Sequence, residues 1–199
     1  RVSCRLVSSK RILPEELQGK EFFLYVGNRK RHKNLDTAIK AFDTFFDDHP
    51  DWMFVIAGRK DAPRDYVDET LDAVRNRSCF IEYDGPSDEV LAGLYANTKA
   101  VVLLSLYEGF GLPVIEGFAF GKPAIVSNRS SLPEIVGEAG CTVNTDDLQS
   151  LRRALFRVAE EQIFYCGLCK AVQERFSFFD TYSEIARLKE LYQAVLGHP

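Results

Sequence analysis

The residues with the strongest chemical signal lie in the segment Glu108-Gly-Phe-Gly-Leu-Pro-Val-Ile-Glu116. Pro113 suits the first turn of a helix, so the segment predicts a glycine-containing loop that leads into a helix. The start of a helix carries unpaired N–H groups and a positive partial charge, which suit a phosphate or sugar hydroxyls. Glu108 falls just before this helix, and Glu116 about one turn inside it. Two carboxylates at one helix start favour hydrogen bonds from two hydroxyl pairs, one on a ribose and one on a sugar. A helix-dipole role for Glu108 and a solvated helix position for Glu116 are the simpler alternatives.

A basic run, residues 29–33, follows the first predicted strand. The whole chain has a formal charge of −4, from 25 basic and 29 acidic residues, so its overall surface is not that of a nucleic-acid or anionic-membrane binder. In such a chain, basic residues at the end of a strand favour a local anion site over a merely solvated loop or a nucleic-acid patch. Gly27 allows close approach of the backbone. The pattern G-x-G-x-x-G is absent after this strand, which disfavours a dehydrogenase.

A third loop, residues 128–134, follows the fifth predicted strand. Its Asn and Ser residues are typical helix caps. They also have the right position to complete the wall of a site, and Ser130 is the candidate.

Strands and helices alternate along the chain, and they must position these loops. Short apolar runs predict strands at residues 22–26, 52–57, 79–83, 100–104, 122–126 and, more weakly, 141–143. The segments between them have helical spacing, as does the tail after residue 148. This alternation predicts a doubly wound, Rossmann-like α/β fold: about six parallel strands, helices on both faces and a helical C-terminal tail. We expect one domain over residues 1–199, with its core at about 21–175 and C-terminal helices at about 176–197.

Composition narrows the class of protein further. The 199 residues are 46% apolar and 27% charged, as in an ordinary globular domain. No apolar run approaches the roughly 20 residues needed to span a bilayer. Five cysteines in a chain of this size favour a reducing, cytoplasmic compartment over a disulfide scaffold. Cys166 and Cys169 fit helix packing better than a redox pair or half of a metal site.

The motifs taken together resemble one known family. The segment EGFGLPVIEGFAFGKPAIVSNRSSLPEIVGEAG is similar to the donor-binding half of retaining glycosyltransferases of family 4, also called group 1. YVGNRKRHKNL, HPDWMFVIAG and YDGPSDEVLAGLYANTKAVVLLS match the same family in the same order, so the resemblance runs from about residue 21 to the C-terminal helix. These enzymes have two Rossmann-like domains that face each other across a cleft, the GT-B fold. This chain resembles only the C-terminal domain, so we expect it to be part of a longer protein.

The resemblance also implies roles for individual residues. Glu116 would hold the ribose hydroxyls, Glu108 would contact the transferred sugar, and Lys33 would bind the phosphates. Members commonly have Arg directly after the glycine that corresponds to Gly27. Here Asn28 stands at that position, so the phosphate role is expected to pass to Arg29. The resemblance implies catalytic roles for Glu108, Arg29 and Lys33, and donor binding by Gly27, Asn28, Ile81, Glu82, Gly109, Phe110, Gly111, Leu112, Glu116 and Ser130.

The implied reaction transfers a sugar from a nucleoside-diphosphate sugar to a saccharide or lipid-linked acceptor, with retention of configuration. It requires no metal and no cofactor beyond the GDP- or UDP-sugar donor. The residue pattern GNRKxxKNL is similar to that of mannosyltransferases that use GDP-mannose. The implied partners are the nucleotide sugar, the acceptor and the missing N-terminal domain, with no nucleic acid and at most peripheral contact with the cytoplasmic face of a membrane. The alternatives are a stand-alone nucleotide-sugar binding or regulatory module, and a GT-B-like UDP-sugar epimerase.

Overall fold

The computed structural model describes residue 7 and residues 10–60 and 62–179. In this part of the chain, six β-strands alternate with seven α-helices. The strands are β1 (Phe22–Val26), β2 (Met53–Ala57), β3 (Phe80–Tyr83), β4 (Val101–Leu103), β5 (Ala124–Ser127) and β6 (Gly140–Val143). The helices are α1 (Leu35–Phe45), α2 (Tyr66–Asp72), α3 (Asp88–Asn97), α4 (Leu112–Ala119), α5 (Leu132–Val136), α6 (Leu148–Glu160) and α7 (Gln162–Ser177).

The strands form one parallel sheet in the order β3-β2-β1-β4-β5-β6. The chain builds outward from β1 to β3, crosses back to place β4 on the other side of β1, and then builds outward to β6. The strand order therefore reverses between β1 and β4. In open α/β sheets, ligands bind outside the carboxyl ends of the strands at this switch point.

The sheet is covered on both faces. One group of helices comprises α1, α2 and α6, and a second comprises α3, α4, α5 and α7. Strands buried on both faces must be apolar at almost every position. The first four residues of β1 and the last four of β2 meet this requirement, because each is at most 1% exposed.

Stacked aromatic side chains join α1 to the sheet. Phe42 of α1 lies parallel to Phe54 of β2, with ring centroids 4.0 Å apart. Phe23 of β1 packs against Phe42 at 5.3 Å and against Trp52 at 5.3 Å. This packing fixes the helix that follows the basic loop, and thereby the point at which that loop ends.

The predicted fold class is confirmed, and each strand lies within two residues of its predicted bounds. One predicted loop is shorter than expected. The segment 128–134 was predicted as loop, but α5 begins at Leu132, where Pro133 occupies the first turn and Leu132, Ile135 and Val136 are buried. The helix predicted around residues 185–195 lies outside the described residues. Helix α7 runs without a break through position 176, and the predicted single domain stays a prediction.

The two cysteines of the Cys166-x-x-Cys169 motif lie on α7, as predicted. The four cysteines within the described residues, Cys79, Cys141, Cys166 and Cys169, are free thiols. Burial raises the pKa of the Cys141 thiol to about 11, which makes it a poor nucleophile at neutral pH.

Candidate active site

Three loops meet at the carboxyl edge of the sheet around the switch point. They follow β1 (residues 27–34), β4 (residues 104–111) and β5 (residues 128–131). The sequence singled out the same three loops. The strand order places the first two side by side, although Lys33 and Glu108 within them are 75 positions apart in the chain.

The loop after β1 is held against the chain that leaves β4. The backbone N–H of Leu106 donates a hydrogen bond to the carbonyl of His32 at 2.8 Å. The Asn34 side-chain amide donates to the carbonyl of Leu104 at 3.3 Å, and Asn34 has the left-handed φ of 57° that lets the chain turn into α1. The loop after β1 is therefore hydrogen-bonded to the chain after β4 at His32 and Asn34, the residues on either side of Lys33.

A close backbone contact fixes the start of the same loop. A Cβ atom added at Gly58, after β2, would lie 1.7 Å from the carbonyl oxygen of Gly27. The N–H of Gly27 donates to the carbonyl of Ala57 at 3.0 Å, and the Tyr25 hydroxyl donates to the carbonyl of Asn28 at 2.5 Å. The backbone at Gly27 and Asn28 is thus rigidly seated on β2 before the basic run begins.

An ion pair spans the switch point between these two loops. The Lys33 ammonium donates to Glu108 Oε1 at 2.6 Å, and the two side chains are 14% and 11% exposed. The Ser105 hydroxyl donates to the same carboxylate oxygen at 2.7 Å. Glu108 is therefore held in one orientation from two sides, next to a cation that remains partly open to solvent.

The loop after β5 supports Glu108 through its backbone. The hydroxyls of Ser130 and Ser131 donate to the carbonyl of Glu108 at 2.7 and 3.2 Å. Ser127 donates in the same way to the carbonyl of Ser105 at 2.5 Å. The serines of the loop after β5 were expected to complete the wall of the site, with Ser130 as the candidate, whereas Ser105 and Ser127 were not predicted. In the sequence these residues appear only as small hydroxyl residues at the ends of adjacent strands. That pattern is too common to identify site residues.

Helix α4 starts at this cluster. Gly111 precedes it with a φ of 66°, and a Cβ atom there would lie 2.8 Å from Leu132 Cδ2, so a larger residue would be strained and crowded. No side chain caps the start of α4 with a hydrogen bond. Gly109, Phe110 and Leu112 are exposed, so the N–H end of the helix faces solvent beside Lys33 and Glu108.

Glu116 lies on α4 in a separate environment. Its Oε2 accepts a hydrogen bond of 2.8 Å from the hydroxyl of Tyr95, a fully buried residue of α3. Burial raises the pKa of the Glu116 carboxyl, and the Tyr95 hydrogen bond only partly opposes this shift. The structure therefore fixes the orientation of Glu116 through Tyr95, which sequence reasoning missed, and leaves Glu116 outside the hydrogen-bonded group around Glu108.

Arg29 is buried in the structure, a feature that the sequence did not predict. Its side chain is 0% exposed, and its guanidinium lies 2.6 Å from Glu82 Oε2 and 3.3 Å from Asp68 Oδ1. In this arrangement the guanidinium is buried and its charge is compensated by carboxylates. The geometry therefore gives no support to the predicted phosphate role of Arg29, because three nearby carboxylates, those of Asp65, Asp68 and Glu82, draw it inward.

Two of the residues expected to bind the donor, Ile81 and Glu82, lie in β3. Ile81 and Glu82 are half-buried, and Glu82 also pairs with Arg77 at 2.6 Å and with Lys60 at 3.6 Å. Lys60, Asp68, Arg77 and Glu82 line part of a cavity of about 430 Å³. These acidic and basic side chains form a second charged cluster. The loop after β1 connects it to the cluster around Glu108.

Within the described residues, no group of three or more His, Cys, Asp or Glu side chains is arranged to hold a metal ion. None of the helices that the structure describes is long and apolar enough to cross a bilayer.

The family model described as "Glycosyl transferases group 1" matches residues 10–175, and therefore most of the chain. The chain belongs to this family. The match covers all three loops of the candidate site, so the candidate site lies within the group 1 domain.

Curated relatives of this group 1 domain include named mannosyltransferases. It is 30% identical over 138 residues to the "O-antigen chain mannosyltransferase B" of Escherichia coli, covering 68% of this chain and 36% of the relative. It is also 30% identical over 179 residues to the "GDP-mannose:cellobiosyl-diphosphopolyprenol alpha-mannosyltransferase" of Komagataeibacter xylinus, covering 83% of this chain and 43% of the relative. The group 1 domain thus spans less than half the length of either relative.

A solved structure has the same fold. It is the C-terminal domain of a "Glycosyl Transferase Group 1 Family Protein" from Francisella tularensis, with a TM-score of 0.72 and 20% sequence identity. The alignment covers 87% of this chain and 95% of that domain. The architecture predicted from the sequence is therefore also that of a solved group 1 domain.

Proposed function

We propose that this chain is the donor-binding half of a family 4 glycosyltransferase. It would bind GDP-mannose, and the complete enzyme would transfer mannose with retention to a saccharide or lipid-linked acceptor. The observation that carries the proposal is the Lys33–Glu108 ion pair, 2.6 Å long, at the β1/β4 switch point and beside the start of α4. The mannosyltransferase names of the relatives support the choice of donor.

The proposed reaction requires this half of the enzyme to stabilise charge rather than to supply a nucleophile. As the bond from the sugar to the diphosphate breaks, negative charge develops on the leaving diphosphate. The Lys33 ammonium and the N–H groups at the start of α4 would stabilise that charge. Glu108, held by Lys33 and Ser105, would accept hydrogen bonds from the sugar hydroxyls and hold the anomeric carbon in place.

We expect this arrangement to act without a metal, and that expectation stays a prediction. The cytoplasmic location and the peripheral membrane contact are likewise proposals. They follow from the free cysteines and from a lipid-linked acceptor.

A thermal-shift panel tests the proposal directly. We expect GDP and GDP-mannose to raise the melting temperature more than UDP, UDP-glucose or ADP-glucose at equal concentration. A ligand at 100 times its Kd adds about 2.7 kcal/mol to the free energy of unfolding. Larger shifts with UDP-sugars would overturn the GDP-mannose assignment, and no shift with any nucleoside diphosphate would overturn donor binding. Consumption of a UDP-sugar without any acceptor would favour the epimerase alternative.

The pH dependence of donor binding tests the role of Glu116. Because burial raises its pKa, we expect acidification to protonate Glu116 at a higher pH than an ordinary glutamate. Affinity for GDP-mannose should then fall as the pH drops through that raised pKa, since the neutral carboxyl is a weaker acceptor for the ribose hydroxyls. GDP-mannose is the suitable ligand because both of its phosphates are esterified and do not titrate in this range.

Calorimetric titrations between pH 4.5 and 7.5 give the affinities. Glu116→Gln should remove this pH dependence, and Glu116→Ala should weaken binding about tenfold or more, as expected for loss of a charged hydrogen bond. The ribose assignment would be wrong if 2′,3′-dideoxy-GDP bound the unaltered chain as tightly as GDP.

A further inference from the structure

Arg29 lies at the centre of a compact network of charged groups. Its guanidinium is 2.6 Å from Glu82 Oε2, 3.3 Å from Asp68 Oδ1 and 4.0 Å from Asp65 Oδ1. Two more cations complete the network, because Lys60 pairs with Asp68 at 2.6 Å and Arg77 pairs with Glu82 at 2.6 Å. Three carboxylates thus face three cations, and Arg29 is the most buried of them.

The carboxylates are themselves fixed by secondary structure. Asp65 and Asp68 form a capping box at the start of α2, in which each side chain accepts a hydrogen bond from the other residue's backbone N–H. Burial tends to raise the pKa of Asp68, but hydrogen bonds from Lys60 and from the backbone N–H of Asp65, with the charges of Lys60 and Arg29, lower it, so the carboxylate stays charged. Glu82 lies in β3. Arg29 is therefore tied to two rigid elements at once.

The backbone of the loop after β1 is also anchored to α2. The Tyr66 hydroxyl of α2 donates to the carbonyl of Lys30 at 3.0 Å, and the Arg31 guanidinium lies 5.1 Å from the centre of the Tyr66 ring. On its other side the loop is bonded to the exit of β4, through His32 and Asn34. Lys33 lies between His32 and Asn34, three positions after Lys30.

We propose that Arg29 is a positioning residue. Arg29 joins the loop after β1 to α2 and β3, and thereby holds the backbone that presents Lys33 to Glu108 and to the donor diphosphate. Arg29 itself does not contact the diphosphate. An ion pair this buried is geometrically demanding, because a guanidinium left without partners, or a carboxylate left without its cation, must rearrange. The inference rests on the proposed function for the identity of the ligand, but the positioning of the loop is independent of it.

The first test compares salt dependence. Affinity for GDP is measured by calorimetry at 0.05–0.5 M salt for the unaltered chain, Arg29→Ala and Lys33→Ala. A residue that contacts the phosphates contributes to the salt dependence of binding, whereas one that only positions the loop contributes less. We expect Arg29→Ala to weaken binding roughly tenfold, as misplacement of a binding group does, and to lower the salt dependence less than Lys33→Ala does, because the displaced Lys33 keeps its charge near the ligand. A loss of salt dependence equal to that in Lys33→Ala would overturn the proposal.

The second test uses the sign of a charge. Asp68→Asn removes a negative charge near the site, which by simple electrostatics would strengthen binding of an anion. The proposal predicts the opposite, because Arg29 loses one anchor and the loop loosens. Asp72→Asn is the matched control, since Asp72 lies one turn further along α2 and pairs with Arg64 on the surface. Tighter GDP binding by Asp68→Asn than by Asp72→Asn would overturn the positioning role.

Hydrogen exchange separates this inference from the proposed function. The N–H groups of Lys33 and Asn34 donate to the carbonyls of Lys30 and Arg31. We expect Arg29→Ala to speed their exchange at least about tenfold, as for a locally opened loop, with the amides of α1 unchanged. Unchanged exchange at both amides would refute the proposal even if no nucleotide bound. Should Arg29→Ala fail to fold, Arg29→Lys, which keeps the charge but loses the forked geometry, is measured in its place.

Discussion

Lys33→Ala is expected to weaken binding of GDP and GDP-mannose about 10- to 100-fold, the usual range for a lost hydrogen bond to a charged group. Two effects add in this variant. The diphosphate loses a cation, and Glu108 loses the ammonium that lies 2.6 Å from its Oε1. The remaining carboxylate then repels the ligand. Calorimetry at several salt concentrations measures both the affinity and its smaller salt dependence.

Lys30→Ala is the matched control for this experiment. Lys30 belongs to the same basic run and carries the same charge, but its side chain is exposed. We expect its replacement to change the affinity no more than about threefold, as for a screened surface charge. Equal losses in the two variants would mean that the whole basic loop attracts anions without a defined site. The double variant Lys33→Ala with Glu108→Gln should bind better than Lys33→Ala alone, because the uncompensated negative charge is gone.

The second large effect concerns transfer itself. The 199-residue chain is expected to bind GDP-mannose, but to transfer mannose at least about 10³-fold more slowly than a protein that also contains the N-terminal half. Holding the acceptor oxygen near the anomeric carbon contributes several kcal/mol to lowering the barrier. In the proposed two-domain enzyme that surface belongs to the other half. An open site also leaves the diphosphate in water, where Lys33 acts more weakly than in a closed site.

Release of labelled mannose onto a lipid-linked or oligosaccharide acceptor measures this difference. In the two-domain protein, Glu108→Ala should lower kcat by on the order of 10²–10³, as does loss of other electrostatic catalytic groups. Glu138→Ala is the control, because Glu138 is exposed in the turn before β6, at the opposite edge of the sheet. If the 199-residue chain transferred mannose as fast as the longer protein, the proposal that it is only the donor half would fail.

Much of the fold was determined by local sequence. The run Phe22–Val26 and the stripe formed by Leu35, Ile39 and Phe42 predicted β1 and α1, because their apolar periodicity matches the geometry of the element that buries them. The start of α4 was predictable from Gly111 and Pro113 for the same local reason. The family was recognisable because the motif from Glu108 to Glu116 retains its residue types and spacing.

The sequence by itself therefore determined the fold class, the family and the three loops that form the site. Only the tertiary structure decided how the charged residues of those loops pair. Lys33 meets Glu108 because β4 lies beside β1, a consequence of the strand order that no local pattern encodes. Arg29, four positions before Lys33, was expected to share its role but is turned inward by Asp65, Asp68 and Glu82. The physical reason is that a charged side chain takes the orientation in which its charge is compensated, and the compensating groups come from elements distant in sequence.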